Sequence, residues 1–138
     1  MRYYIDTNVL IFVLSKTNDD LSPQIIGLLS DYSNTFYVSS IAVQELLLLY
    51  KIGKIEHLRF KSEVDILDKI KKADIKIVFF NEYHFTQYTQ LAIVTGHKDM
   101  NDHGIISQAI SDKIELISSD KEFANYTDQG LNFVFNKR

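Results

Sequence analysis

RYYIDTNVLIFVL, residues Arg2 to Leu14, changes character at its fifth residue. Tyr3-Tyr4-Ile5 is a short apolar run of the kind that is buried in a strand. Asp6 interrupts it, Thr7 and Asn8 are good helix N-caps, and apolar residues resume at Val9. The chain is therefore predicted to turn here from strand to helix. An ionised carboxylate at the carboxyl end of a buried strand is costly unless something cationic compensates it. In open α/β sheets that edge is also where ligands bind. Capping the following helix is the plainer role for Asp6, and this stretch alone leaves the two readings level.

The totals bound what can surround it. A chain of 138 residues, 46% apolar and 24% charged, is one globular domain, residues 1–138, with room for a real core. Cysteine is absent, which excludes a disulfide framework and thiolate chemistry and fits a reducing cytoplasm. Met1 leads straight into the strand, so no secretory signal is expected. No apolar run approaches the ~20 residues that span a bilayer, so no membrane partner is expected. A net charge of −3 argues against indiscriminate binding to nucleic acid while leaving room for a local basic patch. Residues 51–76 hold eight Lys/Arg against five Asp/Glu.

Beyond the first helix, SKTNDD is a polar connector, and Ser22-Pro23 opens a helix running to about Tyr32. Thr35–Val38 is a second strand. Ser39 and Ser40 cap a helix from Ile41 to Ile52, ended by Gly53. Glu56–Ala73 has a helical, solvated pattern. Ile75–Phe80 is a third strand, followed by a helix over Glu82–Thr95 closed by Gly96. After the loop HKDMND, Asp102 begins a helix that ends near Asp112. Ile114–Ile117 is a fourth strand, Lys121–Tyr126 a short helix, Asp128-Gln129-Gly130 a turn and Leu131–Phe135 a last strand. Short β-branched and aromatic runs alternating with helices predict an α/β three-layer sandwich, a short parallel sheet with helices on both faces.

Three further acids share the awkward placement of Asp6. Glu45 has Ile41, Ala42, Leu48 and Leu49 at helical offsets, which turns its face toward protein. Asp102 has Ile105 and Ile106 at the same offsets, and Asp120 follows the fourth strand as Asp6 follows the first. Singly, Asp102 and Asp120 read as helix caps. Together, two acids at strand ends and two on helices entered from that edge are brought to one place by right-handed crossovers. Like charges so close raise one another's pKa. Hard divalent cations bound by oxygen relieve the repulsion, and Mg²⁺ commonly takes a few carboxylates plus waters. An all-acid set without Cys is a poor match for structural zinc. His57, His84, His97 and His103 show no ligand spacing and read as structural or surface residues.

The ordered set YIDTNVL, SSIAVQELLLL, GHKDMNDHGIISQAI and LISSDKEF resembles a PIN domain, and within that family the single-domain VapC-type toxin ribonucleases. The resemblance covers nearly the whole chain. It implies that Asp6, Glu45, Asp102 and Asp120 form an acidic, catalytic metal site for Mg²⁺ or Mn²⁺. Asn8, Asp99 and Ser118 match the supporting positions. It further implies hydrolysis of RNA phosphodiester bonds to 5′-phosphate and 3′-hydroxyl ends, homodimerisation and inhibition by a partner antitoxin. The family's loop usually reads Asp-Pro-Phe-Asp-Arg, whereas this one reads Asp99-Met100-Asn101-Asp102-His103. Both acids survive, but the arginine does not, and His103 would replace it only when protonated.

The expected activity is a metal-dependent endoribonuclease. The alternative is a catalytically silent PIN fold that binds RNA or protein, for which the altered loop speaks. A phosphotransfer domain with Asp6 as nucleophile lacks a second Asp two residues on, where Asn8 stands. Lys51, Lys54, Arg59 and Lys61 are interleaved with acids, the pattern of a solvated helix face rather than an RNA patch. Tyr83, Phe85 and Tyr88 read as core or dimer packing before base stacking. The run Leu46–Leu49 is more apolar than one buried face needs, which suits a deep core helix or a subunit contact.

Overall fold

Tyr3, Tyr4 and Ile5 are buried because their strand has a neighbour on each side. A computed structural model describes residues 1–16 and 18–138 of the chain. Among these, β1 (Arg2–Ile5), β2 (Thr35–Ser39), β3 (Ile75–Val78), β4 (Glu115–Ser118) and β5 (Phe133–Phe135) form one sheet. All its pairings are parallel, and the spatial order is β3-β2-β1-β4-β5. The chain builds outward from β1 on one side and then, from β4 on, on the other. The β1/β4 junction is thus the topological switch point, where open α/β sheets leave a crevice beyond their carboxyl ends. Asp6 directly follows β1, and Asp120 stands two residues beyond β4.

The connections are α1 (Thr7–Ser15) and α2 (Pro23–Ser30), α3 (Ser40–Lys51) and α4 (Glu63–Lys72), then α5 (Glu82–Gln90) and α6 (Met100–Asp112). A 3₁₀ helix, Lys121–Gln129, links β4 to β5. The helices cover both faces of the sheet, giving the expected three layers. α1 packs on α3 and β4, and α6 on α3, α5 and β4. A Cβ on Gly104 would meet Ile41 Cδ1 at 2.5 Å, so any other residue there would push the end of the Ile41 side chain aside where α6 packs on α3. No described helix is long and apolar enough to cross a membrane. The polar connector contains Thr17, which lies outside the described residues.

Several element boundaries differ from the sequence reading, and each has a local cause. The expected helix over Glu56–Ala73 is a 3₁₀ turn, Glu56–Leu58, followed by a break and then α4. Arg59 takes the left-handed conformation (φ 58°), and Ser62 starts the chain again by accepting the Asp65 N–H at 3.1 Å. α5 ends at Gln90 rather than Thr95, because the backbone beyond it is claimed elsewhere. Ala92 N–H donates to Gln129 Oε1 at 2.9 Å, Gln129 Nε2 donates to Ala92 C=O at 2.8 Å, and Val94 N–H donates to the Tyr126 hydroxyl at 3.2 Å. α6 begins at Met100 with Asp99 as its cap, so Asp102 is not the helix start. β3 stops at Val78, two residues early, where Phe80 N–H turns to Ser40 Oγ at 2.9 Å.

The leucine run divides by face. Leu46 is fully buried, Leu47 and Leu49 half-buried, and Leu48 is 56% exposed. Tyr83 and Phe85, expected in core or dimer packing, are exposed and not core. Lys51, Lys54, Arg59 and Lys61 are all exposed, but they do not form one helix face: Lys51 ends α3, and the other three lie in the turn after it and in the break before α4. In urea denaturation, Leu46→Ala should therefore lose about 2–5 kcal/mol of stability, whereas Leu48→Ala should stay within about 0.5 kcal/mol of wild type. Equal losses would mean the buried face of α3 has been misassigned.

Candidate active site

The carboxyl edge of the sheet holds a cavity of about 350 Å³ lined by Asp6, Thr7, Asn8, Glu45, Leu49, Asp99, Asp102 and Asp120. Asp6 caps α1: its Oδ1 accepts the Val9 N–H at 2.9 Å. The parallel register sets Ile5 beside Ile117, and the next residue of β4 reaches across. There Ser118 Oγ donates to Asp6 Oδ2 at 2.5 Å and itself accepts the Asp120 N–H at 3.0 Å. Ser118 thus holds both strand-end acids from below. Thr7, a cap candidate in the sequence, is instead the first helical residue. Its hydroxyl is buried and has no hydrogen-bond partner among the described residues.

The helix-borne acids arrive from α3 and α6. Glu45 is half-buried, and Asn101 Nδ2 donates to its Oε2 at 3.2 Å. Asp99 Oδ1 accepts the Asn101 and Asp102 N–H groups at 2.9 and 3.3 Å, which fixes the first turn of α6. Asp120 Oδ1 likewise accepts the Glu122 N–H at 2.9 Å. For Asp6, Asp99 and Asp120 capping and site roles therefore coexist: one oxygen is spoken for by the backbone while the residue still lines the cavity. Asn8 is exposed at the cavity wall.

Sequence reasoning missed His97. It is buried, and its Nε2 lies 3.1 Å from Asp102 Oδ2 and 3.7 Å from Glu122 Oε2. His97, Asp102 and Asp120 offer ligand atoms all within 4.8 Å of one another, a tighter group than the four acids together. Lack of metal-ligand spacing hid it. The available signal was its place five residues before Asp102 in a polar loop. His103 does not replace the missing arginine. It is buried with Nε2 donating to the His97 carbonyl at 3.0 Å, and burial pushes its pKa down, favouring the neutral ring.

Burial pushes the Asp6 carboxyl up to about 6; the Ser118 and Val9 hydrogen bonds oppose this, and the charges of Asp120 and Glu45 add to it. Asp102 is pushed up to about 7, again chiefly by burial, with His97 opposing and Asp99 and Asp6 adding. Two acids that resist ionising beside three more form a site electrostatically incomplete by itself. An oxygen-rich, negatively charged donor set with an unpartnered hydroxyl fits a hard divalent cation held by Asp6, Glu45, Asp102 and Asp120. A larger cavity of about 590 Å³, lined by Tyr50, Lys51, Ile55, Glu56, Phe60 and Glu63, gathers no such set.

Comparison with protein families matches residues 3–129 to the PIN domain. No curated protein matches the sequence. Solved structures share the fold. VapBC2 of Rickettsia felis, bound to a DNA fragment from its promoter, superposes with a TM-score of 0.70 at 22% identity, over 99% of this chain and 100% of the other. VapBC-1 of nontypeable Haemophilus influenzae gives 0.63 at 20% identity, covering 98% of each chain. FitAcB of Neisseria gonorrhoeae gives 0.61 at 20% identity, covering 97% and 96%.

The raised pKa values set a direction for stability. Between pH ~4, where unfolded carboxyls ionise, and the folded values of about 6 and about 7, the folded protein holds protons that the unfolded chain has lost. Stability contributed by these two groups is therefore lost as pH rises through that window. In EDTA at pH 7.5, Asp102→Asn should melt several degrees above wild type, since it removes a charge and leaves the Asp99 cap intact. With millimolar Mn²⁺ the gap should shrink or invert, because wild type gains the larger RT ln(1 + [L]/Kd). Equal melting temperatures in both buffers would refute the charge convergence.

Proposed function

Because the chain belongs to the PIN domain family, we propose that it is a metal-dependent endoribonuclease, the toxin of a toxin–antitoxin pair. The observation that carries this reading is the meeting of five carboxylates in one cavity at the sheet's switch point. Asp6, Glu45, Asp102 and Asp120 would hold Mg²⁺ or Mn²⁺. Such an ion supplies a water of lowered pKa and steadies negative charge on a phosphoryl oxygen. The chain's residues do the rest by position. Ser118 and the Val9 amide fix both oxygens of Asp6, and Asn101 steadies Glu45. Exposed Asn8 offers an amide to a backbone phosphate or sugar, and Asp99 orients water at the mouth of the cavity. RNA is cut to 5′-phosphate and 3′-hydroxyl ends in the cytoplasm, where such a substrate is found.

The partner side of the reading has two parts. A ribonuclease of this kind needs restraint by an antitoxin, and a protein of the same fold, VapBC-5 of Mycobacterium tuberculosis, is described as a member of the VapBC family of toxin-antitoxin systems. Exposed Leu48, Phe79, Phe85 and Met100, with the stacked Phe85–Tyr88 pair, support a homodimer. The silent PIN fold remains the second reading, favoured by the loop that lacks proline, phenylalanine and arginine.

Purified protein should cleave RNA with Mg²⁺ or Mn²⁺ and not in EDTA. Asp6→Asn, Glu45→Gln, Asp102→Asn and Asp120→Asn should each reduce cleavage by about 100-fold or more, beyond the 10- to 100-fold typical of outer-shell partners, and double variants should add little. Equal cleavage in EDTA would overturn the metal role, and no cleavage of any RNA would favour the silent fold. Light scattering at micromolar concentration should give twice the 16.0 kDa chain mass, for an interface on the order of 1,200–2,000 Å² in total; a monomer would refute the dimer.

A further inference from the structure

His97 stands on the loop before α6, and every side of its ring is occupied. His103 meets it edge-on at 4.6 Å between ring centroids, and Phe123 lies at 6.2 Å. The backbone is tied as well, with His97 N–H donating to Val94 C=O at 3.0 Å and His97 C=O accepting from His103 Nε2. Nδ1 lies 2.8 Å from the Tyr126 hydroxyl, and Nε2 lies 3.1 Å from Asp102 Oδ2, with Glu122 Oε2 farther off at 3.7 Å.

The tautomer follows from counting donors. The Tyr126 oxygen already accepts the Val94 N–H at 3.2 Å, so its own hydrogen is free to be given to His97 Nδ1. The ring proton then sits on Nε2 and is donated to Asp102 Oδ2. With Asp102 ionised, the opposite tautomer sets a ring lone pair against a carboxylate oxygen and leaves the Tyr126 hydrogen without its acceptor. Metal-site side chains are commonly oriented by an outer partner of this sort, and losing that partner typically weakens metal affinity by about 10- to 100-fold.

We infer that His97, its tautomer locked by Tyr126, is a positioning residue: it holds Asp102 Oδ2 and so turns the other oxygen to the cavity. The inference rests on the metal-site reading above. Because Nε2 carries the proton, His97 is not itself a ligand, although it lies within ligand distance of Asp102 and Asp120.

The test is Mn²⁺ titration by calorimetry, paired with long-range ¹H–¹⁵N spectra of the histidine rings in the metal-free protein. The spectra should show His97 as the Nε2–H tautomer, and a Nδ1–H tautomer would overturn the inference. His97→Phe, which keeps the ring and removes both nitrogens, should weaken Mn²⁺ binding about 10- to 100-fold. His97→Gln, whose amide nitrogen can stand where Nε2 does, should recover most of that loss. Tyr126→Phe, which unlocks the tautomer with the ring in place, should fall between them. A folded His97→Phe protein that binds Mn²⁺ like wild type would leave the metal site standing and show His97 to be structural only. Gln no better than Phe would make His97 a ligand instead. No Mn²⁺ binding by wild type would refute the metal reading itself, and this inference with it.

Discussion

Ser118 Oγ sits between two acids that would otherwise repel: it donates to Asp6 at 2.5 Å and accepts the amide of Asp120 at 3.0 Å. That contact exists only because β1 and β4 are adjacent and parallel, with Ile5 beside Ile117. A buried carboxylate without such a donor is a costly thing to place in a fold. With it, the central strand can end in an acid, the acid can start α1, and the switch point of the sheet becomes a charged crevice. The helices that cross over the sheet then add Glu45 and Asp102 to the same crevice. Asp6 is still held near half-ionised at pH 6, so the arrangement trades stability for a site that favours a cation.

The same economy explains why capping and function were hard to tell apart. Asp6, Asp99 and Asp120 each give one oxygen to a backbone amide at the start of a helix. Helix N-termini favour negative charge on their own account, so the fold and the site ask for the same residue type at the same place. Glu45 and Asp102 have no cap to make, so their placement is not explained by helix capping, and burial pushes Asp102 above Asp6.

The loop from His97 to His103 departs from the family's usual residues, and the residues in their place make contacts of their own. Its arginine position is filled by a buried neutral ring that ties down the His97 carbonyl rather than reaching an acid. Its aromatic position is filled by Asn101, whose amide reaches Glu45. Neither contact brings a cation to the crevice, which keeps its negative charge.

The alternation of short β-branched and aromatic runs with helices was legible in the sequence, because burial on both faces of a parallel sheet favours apolar residues in the middle of its strands. So were the acids of the crevice, since a carboxylate after a buried strand or amid apolar helix neighbours stands out against its surroundings. Residue order alone also carried the resemblance to the PIN family. What tertiary structure decided was everything set by partners distant in the chain. α5 stops at Gln90 because Gln129 and Tyr126 take the backbone groups that would have continued it. Leu46 and Leu48 part ways because only one of them faces the core. His97 joins the site because Tyr126, 29 residues on, and Asp102 hold its two nitrogens at once. A local pattern records which residues want burial or a cap; which distant group satisfies each of them is known only when the chain has closed on itself.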